Sequence, residues 1–335
     1  NVAVYKIPFD TIPAFANRAK VVYEFDAGDV MTPIMYPAMA KSFRAAGFQW
    51  ATQFAYDPMA TAYANTEYQT HYLNLAYTPS KAISLLIASK AFHQLPRLIK
   101  PDSETSFGAF KLDYKKALSE MNTAEAFYYT NSTVSKPVNA QKLQHIAGVG
   151  SSPVVQYQGN GAYFIDHVSK GIWRLEVMPD AIPVNDPFAK ASLQKTVTQI
   201  DFKNSVMEVQ LDDLGAAFEI KGLNAGNQYA AQTKTGQFNI SPGSYLLIKK
   251  GVKSLWKAKD AYQNIFLDDF VAPKASLKVV FVKHQPLKTA SENADLALKM
   301  EIFGLHQKDS VYVELNNAFG QWKRMSLNKI DQYQF

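Results

Sequence analysis

Apolar positions in the first hundred residues follow two alternating rhythms. Val21, Val22, Tyr23 and Phe25 form a near-continuous apolar run, the pattern of a strand buried on both faces, and that run carries Glu24 to its C-terminal end before a polar loop at 26–29. Thr32 and Pro33 then supply a helix start, with Thr as cap and Pro at the first helical position. Tyr36, Met39, Phe43 and Ala46 follow at spacings of three, four and three, which predicts a helix over 34–46 with one apolar stripe. Gly47 closes it. A second strand is predicted over 48–56, followed by a tyrosine-rich loop over 57–78. Ser80 is expected to cap a second helix that buries Ile83, Leu86, Ile87, Ala91 and Phe92 and ends at Pro96.

Near residue 99 the pattern shifts from period 3.6 to period 2. A short helical piece is expected around 113–121. Strands at 152–158, 162–168 and 172–178, separated by Gly159, Asn160 and Gly161 and by Ser169, Lys170 and Gly171, read as a three-stranded meander. Further strands at 196–202, 206–211, 217–220 and 244–249 suit a β-sandwich. Beyond Pro273, strands at 276–284, 296–303 and 311–315, with Pro273 and Pro286 flanking the first, suit an immunoglobulin-like module lacking its final strands. The expected fold class is therefore α/β plus all-β, with domains at 1–98, 99–270 and 271–335. No repeat of fixed period is visible.

Composition narrows the function classes. With 335 residues, 47% of them hydrophobic, the chain has room for two or three cores. The net charge of +6 comes from scattered Lys and Arg with no basic run, which argues against nucleic acid. The absence of cysteine leaves no thiolate metal site or disulfide to propose, and suits a bacterial exported protein. No 18-residue apolar run exists, so no membrane span is expected. Neither end carries a signal peptide or a natural stop, and the expectation is that this is a piece of a larger protein with part of its active site elsewhere.

Glu24 is the first chemical candidate. A carboxylate at the carboxyl end of a buried parallel strand loses solvation unless a ligand, a base or water meets it, and in a parallel barrel that end is where chemistry is done. The run from Val22 through Glu24 to Asp29, the helix ending at Phe43, Arg44 and Gly47, and the strand with Trp50 and Phe54 resemble the last two strand-helix units of clan A glycoside hydrolases. The resemblance covers about the first 95 residues and implies a partial (β/α)8 barrel in a retaining enzyme. It implies Glu24 as nucleophile and Trp50 as the tryptophan flooring the sugar subsite, with Phe54 or Tyr56 as alternative platforms. The acid/base Glu of the family would precede Asn1, and neither Asp57 nor Glu67 is promoted in its place.

The 57–78 loop mixes rings with amides and carboxylates, as sugar sites do. Tyr56, Asn65, Glu67, His71 and Tyr72 are its candidate substrate-binding residues, although the same tyrosines suit packing on a barrel rim. His71 lacks a partner His at helical spacing, and Asp26, Asp29 and Asp57 match no Ca²⁺ loop, so no metal or cofactor is expected. On the strand around Trp173, the alternation puts Trp173, Leu175 and Val177 in a core and Arg174 and Glu176 on a solvent face. The expected function is a retaining glycoside hydrolase acting on a polysaccharide or oligosaccharide, secreted or at a bacterial cell surface. Its expected partners are the rest of the same protein or a surface assembly. The competing reading is a non-catalytic glycan-binding protein on a degenerate barrel.

Overall fold

The computed structural model describes residues 7–68, 70–100 and 103–276, together with the strands Tyr312–Asn316 and Trp322–Ser326. The chain divides into two compact units, 1–281 and 282–335. Among the described residues the fold is mainly β-sheet with two α-helices, α1 (Met35–Ala45) and α2 (Pro79–Gln94). No helix among them is long and apolar enough to cross a membrane.

Strands β1 (Val21–Phe25) and β2 (Trp50–Gln53) form a separate two-stranded parallel sheet, with Val21 opposite Trp50 and Phe25 opposite Gln53. The expected parallel pairing of these segments is present, with the strand at 48–56 shorter than expected. Phe25 meets Phe43 of α1 edge-on at 5.6 Å and Tyr36 at 6.0 Å, so the helix covers the sheet through aromatic contacts. α1 and α2 pack on each other.

The chain then enters β3 (Ser106–Phe107), β4 (Phe110–Asp113), β5 (Leu118–Asn122), β6 (Ala126–Tyr129), β7 (His145–Gly148) and β8 (Val155–Tyr157). It continues through β9 (Tyr163–Ser169), β10 (Ile172–Val177), β11 (Asp180–Pro183), β12 (Thr198–Asp201), β13 (Ser205–Val209) and β14 (Phe218–Gly222). β15 (Ala230–Thr233), β16 (Gln237–Ile240), β17 (Gly243–Lys249), β18 (Ala261–Tyr262) and β19 (Ile265–Phe266) complete the first unit. Ten strands make one sheet in the order β15-β14-β17-β10-β9-β7-β6-β5-β4-β3, and β16-β13-β8 make a second.

The two sheets enclose a common core. Trp173, Leu175 and Val177 of β10 and Phe127 and Tyr129 of β6 meet Met207 and Val209 of β13 and Phe238 of β16 there. Each such side chain contributes about 1.5–3 kcal/mol by leaving water. The opposite face of the ten-stranded sheet has two covers. α2 lies on β5, β6 and β7, so the segments expected as separate domains at 1–98 and 99–270 share a core. Further along, Leu267 and Trp256 of the 252–269 segment pack on Ile172, Leu246 and Ile248.

Several expectations are corrected by this geometry. Arg174 is buried, not on a solvent face. Its Nε donates to Leu267 O at 3.0 Å, its Nη2 to Asp269 O at 2.6 Å, and its Nη1 pairs with Glu176 at 2.7 Å. The helix expected at 113–121 is a hairpin, because the Asp113 carboxylate accepts the Lys115 and Lys116 N–H groups and turns the chain back onto β5. The meander is also partly wrong, since β8 pairs with β13 and not with β9. Asn160 and Gly161 carry the chain between the sheets, and both donate their N–H to Asp180 Oδ1.

Helix starts shift too. α1 begins at Met35, after a turn holding Thr32 and Pro33, and Pro37 takes the first-turn position that tolerates proline. α2 begins at Pro79, with Thr78 ahead of it, and Ser80 lies inside the helix. In the second unit, β20 (Tyr312–Asn316) pairs antiparallel with β21 (Trp322–Ser326). The strand expected at 296–303, all but the first residue of that at 276–284, and Pro286 lie outside the described residues.

Candidate functional site

Parallel pairing brings the loops after β1 and β2 to one end of their sheet. Phe54 N–H donates to Phe25 O at 3.0 Å, and Asp29 N–H donates to Thr70 O at 2.7 Å, which draws the 57–78 loop over the strand ends. The approach is close at Gly28, where a Cβ would sit 3.0 Å from Thr70 O. The loop is internally tied as well. Leu73 N–H donates to Asp57 Oδ2 at 2.7 Å, Asn74 Nδ2 to Asp57 O at 2.9 Å, and Thr78 Oγ1 both accepts from and donates to the Asn74 backbone.

Glu24, one residue from the end of β1, is exposed. Among the described residues no hydrogen bond or ion pair holds its carboxylate. Tyr56 is half exposed, with Oη accepting the Leu75 N–H at 2.8 Å, and burial of the rest of its ring pushes the phenol up. Glu67 is exposed and near enough to Asp57 to act on its charge. Trp50 is 63% exposed but stands opposite Val21, at the amino end of the sheet. Three residues of strand, roughly 10 Å, separate that row from Glu24. Trp50 and Glu24 are therefore not brought together, and Phe54 and Tyr56 are the aromatic residues at the carboxyl end.

Asn65, His71 and Tyr72, expected to contact substrate, are buried. Asn65, at a positive φ of 45°, donates through Nδ2 to Pro187 O at 2.7 Å. The His71 ring packs against Phe54 and Tyr68, with centroids 5.8 and 4.9 Å away, and its Nδ1 lies 4.0 Å from Asp57 Oδ2. Tyr72 faces Thr198, and burial raises its phenol far above the ordinary range. Both buried ring nitrogens of His71 lack a hydrogen-bond partner among the described residues, whereas Asn65 ties the loop to its neighbours. The reason is local: the loop is sandwiched between the strand ends and the 184–198 segment, where Val197 N–H also donates to Tyr63 O at 2.7 Å.

Sequence reasoning missed the polar cluster beneath. Tyr36 Oη donates to Asp26 Oδ1 at 2.7 Å and accepts from Gln53 Nε2 at 3.3 Å. Lys81, 1% exposed, donates to Ala27 O at 3.2 Å, with its Nζ 5.8 Å from the centroids of the Tyr36 and Phe188 rings. Burial pulls its ammonium down to about 8, against the opposing pull of Asp26, Asp57 and Asp29. Burial likewise raises the Asp57 carboxyl, opposed by the Leu73 N–H and by His71. A signal was present: Lys81, Ser84, Ala88 and Ala91 lie at spacings of three, four and three, all on the buried side of α2. Among the described residues no group of three His, Cys, Asp or Glu side chains could hold a metal ion.

Lys81 makes a testable pH signature. Below about pH 8 the ammonium is charged in both folded and unfolded chains, and its burial cost is fully present. Between about 8 and the unfolded value of 10.5 the unfolded chain keeps a proton that the folded chain has released, so folding gains as pH rises. Urea unfolding of wild type and Lys81→Met is expected to diverge by about 2 kcal/mol in favour of wild type between pH 8 and 9.5. Parallel pH curves for the two proteins would show that Lys81 is not held in this state.

The chain matches no protein-family model, no curated protein and no solved structure.

Proposed function

We propose that this chain carries the nucleophile end of a retaining glycoside hydrolase acting on a polysaccharide or oligosaccharide, with Glu24 as nucleophile. The observation that carries the reading is an exposed carboxylate, without a partner among the described residues, near the carboxyl end of a parallel strand pair, with α1 packed against that pair and Phe54, Tyr56 and Tyr68 exposed. In this reading β1, α1, β2 and α2 are two units of a (β/α)8 barrel, and the second unit, 282–335, belongs to an immunoglobulin-like module. Parallel sheets are normally covered on both faces, and among the described residues β1 and β2 pair only with each other.

The chemistry is a double displacement. A Glu24 carboxylate oxygen bonds to the anomeric carbon as the glycosidic C–O bond breaks, and a second carboxyl protonates the leaving oxygen. Water, deprotonated by that second group, then attacks the anomeric carbon and releases Glu24. The second carboxyl must stand about 5–5.5 Å from the first. Asp26 is engaged by Tyr36 and Asp57 is buried against Leu73, so neither is free for the role. The proton donor is assigned instead to a carboxyl outside the described residues.

The engagement of Asp26 and Asp57 also favours one other reading, a glycan-binding protein without turnover. One experiment separates the two. The intact parent protein is incubated with a broad glycan panel, and the anomeric configuration of the first product is read by NMR. Retention is the expected result. Inversion would reject Glu24 as a nucleophile, and binding without hydrolysis would leave the binding protein.

A further inference from the structure

Behind the 57–78 loop, on residues that take no part in the site above, runs a groove of ≈ 530 Å³. It is lined by Met59, Tyr63 and Tyr77 of the loop, by Thr196 and by Thr198 of β12, and by the 272–276 segment. That last segment is fixed in place. Ser276 N–H donates to Ile200 O at 2.8 Å and Ile200 N–H donates to Ser276 Oγ at 3.0 Å, so its end is tied to β12. The loop side is fixed by the Tyr63 backbone carbonyl accepting from Val197 and by Tyr63 Oη donating to Leu193 O at 3.4 Å.

The lining defines what it takes. Tyr63 and Met59 offer apolar surface, Thr196 and Ser276 offer hydroxyls, and Lys274 is the one charged side chain among the described lining residues, while Tyr77 and Thr198 are buried. Among the described residues no carboxylate lines the groove. A volume of this size holds a ligand of one or two sugar rings. A ring that stacks, hydroxyls that exchange hydrogen bonds, and one unopposed cation together suit a sugar bearing an anionic group.

We infer that this groove is a second carbohydrate site, selective for an acidic sugar whose carboxylate or sulfate meets Lys274. The inference rests on the glycan-active reading above and deepens it by naming an acidic polymer as the substrate class. It shares the 57–78 loop with the proposed catalytic end, so one chain could engage both.

Calorimetric titration of the protein with a uronic-acid disaccharide, a monosulfated neutral disaccharide and the uncharged disaccharide tests it. At least one anionic probe is expected to bind about three- to tenfold more tightly than the uncharged one, and the stronger arm identifies carboxylate or sulfate. Lys274→Gln, an exposed position, is expected to erase that difference without changing the melting temperature, and added salt to shrink it. Equal binding of all three probes, no binding of either anionic probe, or full selectivity retained in Lys274→Gln would overturn the site. Glu24→Gln serves as the control, because it leaves groove binding intact whether or not the protein hydrolyses glycans.

Discussion

Glu24→Gln in the intact protein is expected to lower turnover by about three to five orders of magnitude while glycan binding survives. The amide keeps the shape and hydrogen-bonding reach of the carboxylate but lacks the charge needed to attack the anomeric carbon. Glu24 is exposed and held by no other described residue, so the substitution has little to disturb, and stability should stay within about 0.5 kcal/mol of wild type. This contrast is what makes the result interpretable. A loss of activity with an unchanged melting curve assigns chemistry to the side chain, whereas a parallel loss of both assigns it to folding. Near-normal hydrolysis by Glu24→Gln would remove Glu24 from the mechanism altogether.

The parts of the fold visible in the sequence were those fixed by local pattern. The near-continuous run around Val22 and Phe25 marked a strand with its partner one helix away, and β1 and β2 do pair in parallel, but β1 is not buried on both faces as the run suggested, since Val21 and Tyr23 are exposed. Alternation around Trp173 correctly placed Trp173, Leu175 and Val177 in a core. The same alternation misplaced Arg174, because its cover comes from Leu267 and Asp269, more than ninety residues later, and period 2 says only which residues share a face. Asp113, Lys115 and Lys116 precede residues of good helical propensity, yet pairing of β4 with β5 overrides that preference. Gly159, Asn160 and Gly161 look like a hairpin turn, and only the buried Asp180 carboxylate, twenty residues on, redirects them between sheets.

The candidate site divides along the same line. Glu24 was legible because a strand end is a local event. Asn65, His71 and Tyr72 were read as ligand contacts because polar and aromatic loop residues suit both sugar binding and loop packing. What covers Asn65 is the 184–198 segment lying against the loop, which the sequence does not announce. Lys81 was legible in principle. A lysine on the apolar stripe of a helix is either solvated by displacement of the stripe or buried with polar partners, and here Asp26, Asp29 and Asp57 near the strand ends supply the second outcome.

Arg174→Leu is expected to cost about 3–5 kcal/mol of stability, the largest loss predicted for a single position in this chain. Three polar groups depend on the guanidinium. Leu267 O and Asp269 O lose their donors, and Glu176, whose carboxyl burial already pushes upward, loses the cation that opposes that push. An isolated partly buried carboxylate is worse than no carboxylate. Pairing Arg174→Leu with Glu176→Leu should therefore recover part of the loss, while the carbonyls of Leu267 and Asp269 keep the double variant below wild type. The same bonds hold the 252–269 segment over Ile172, Leu246 and Ile248, so its amides should exchange faster in Arg174→Leu than those of the core strands β6 and β10. Urea unfolding of the wild type, the two single variants and the double variant closes the cycle. A loss below about 1 kcal/mol in Arg174→Leu, or no recovery in the double variant, would show that the arginine is replaceable packing and not the clasp of this segment.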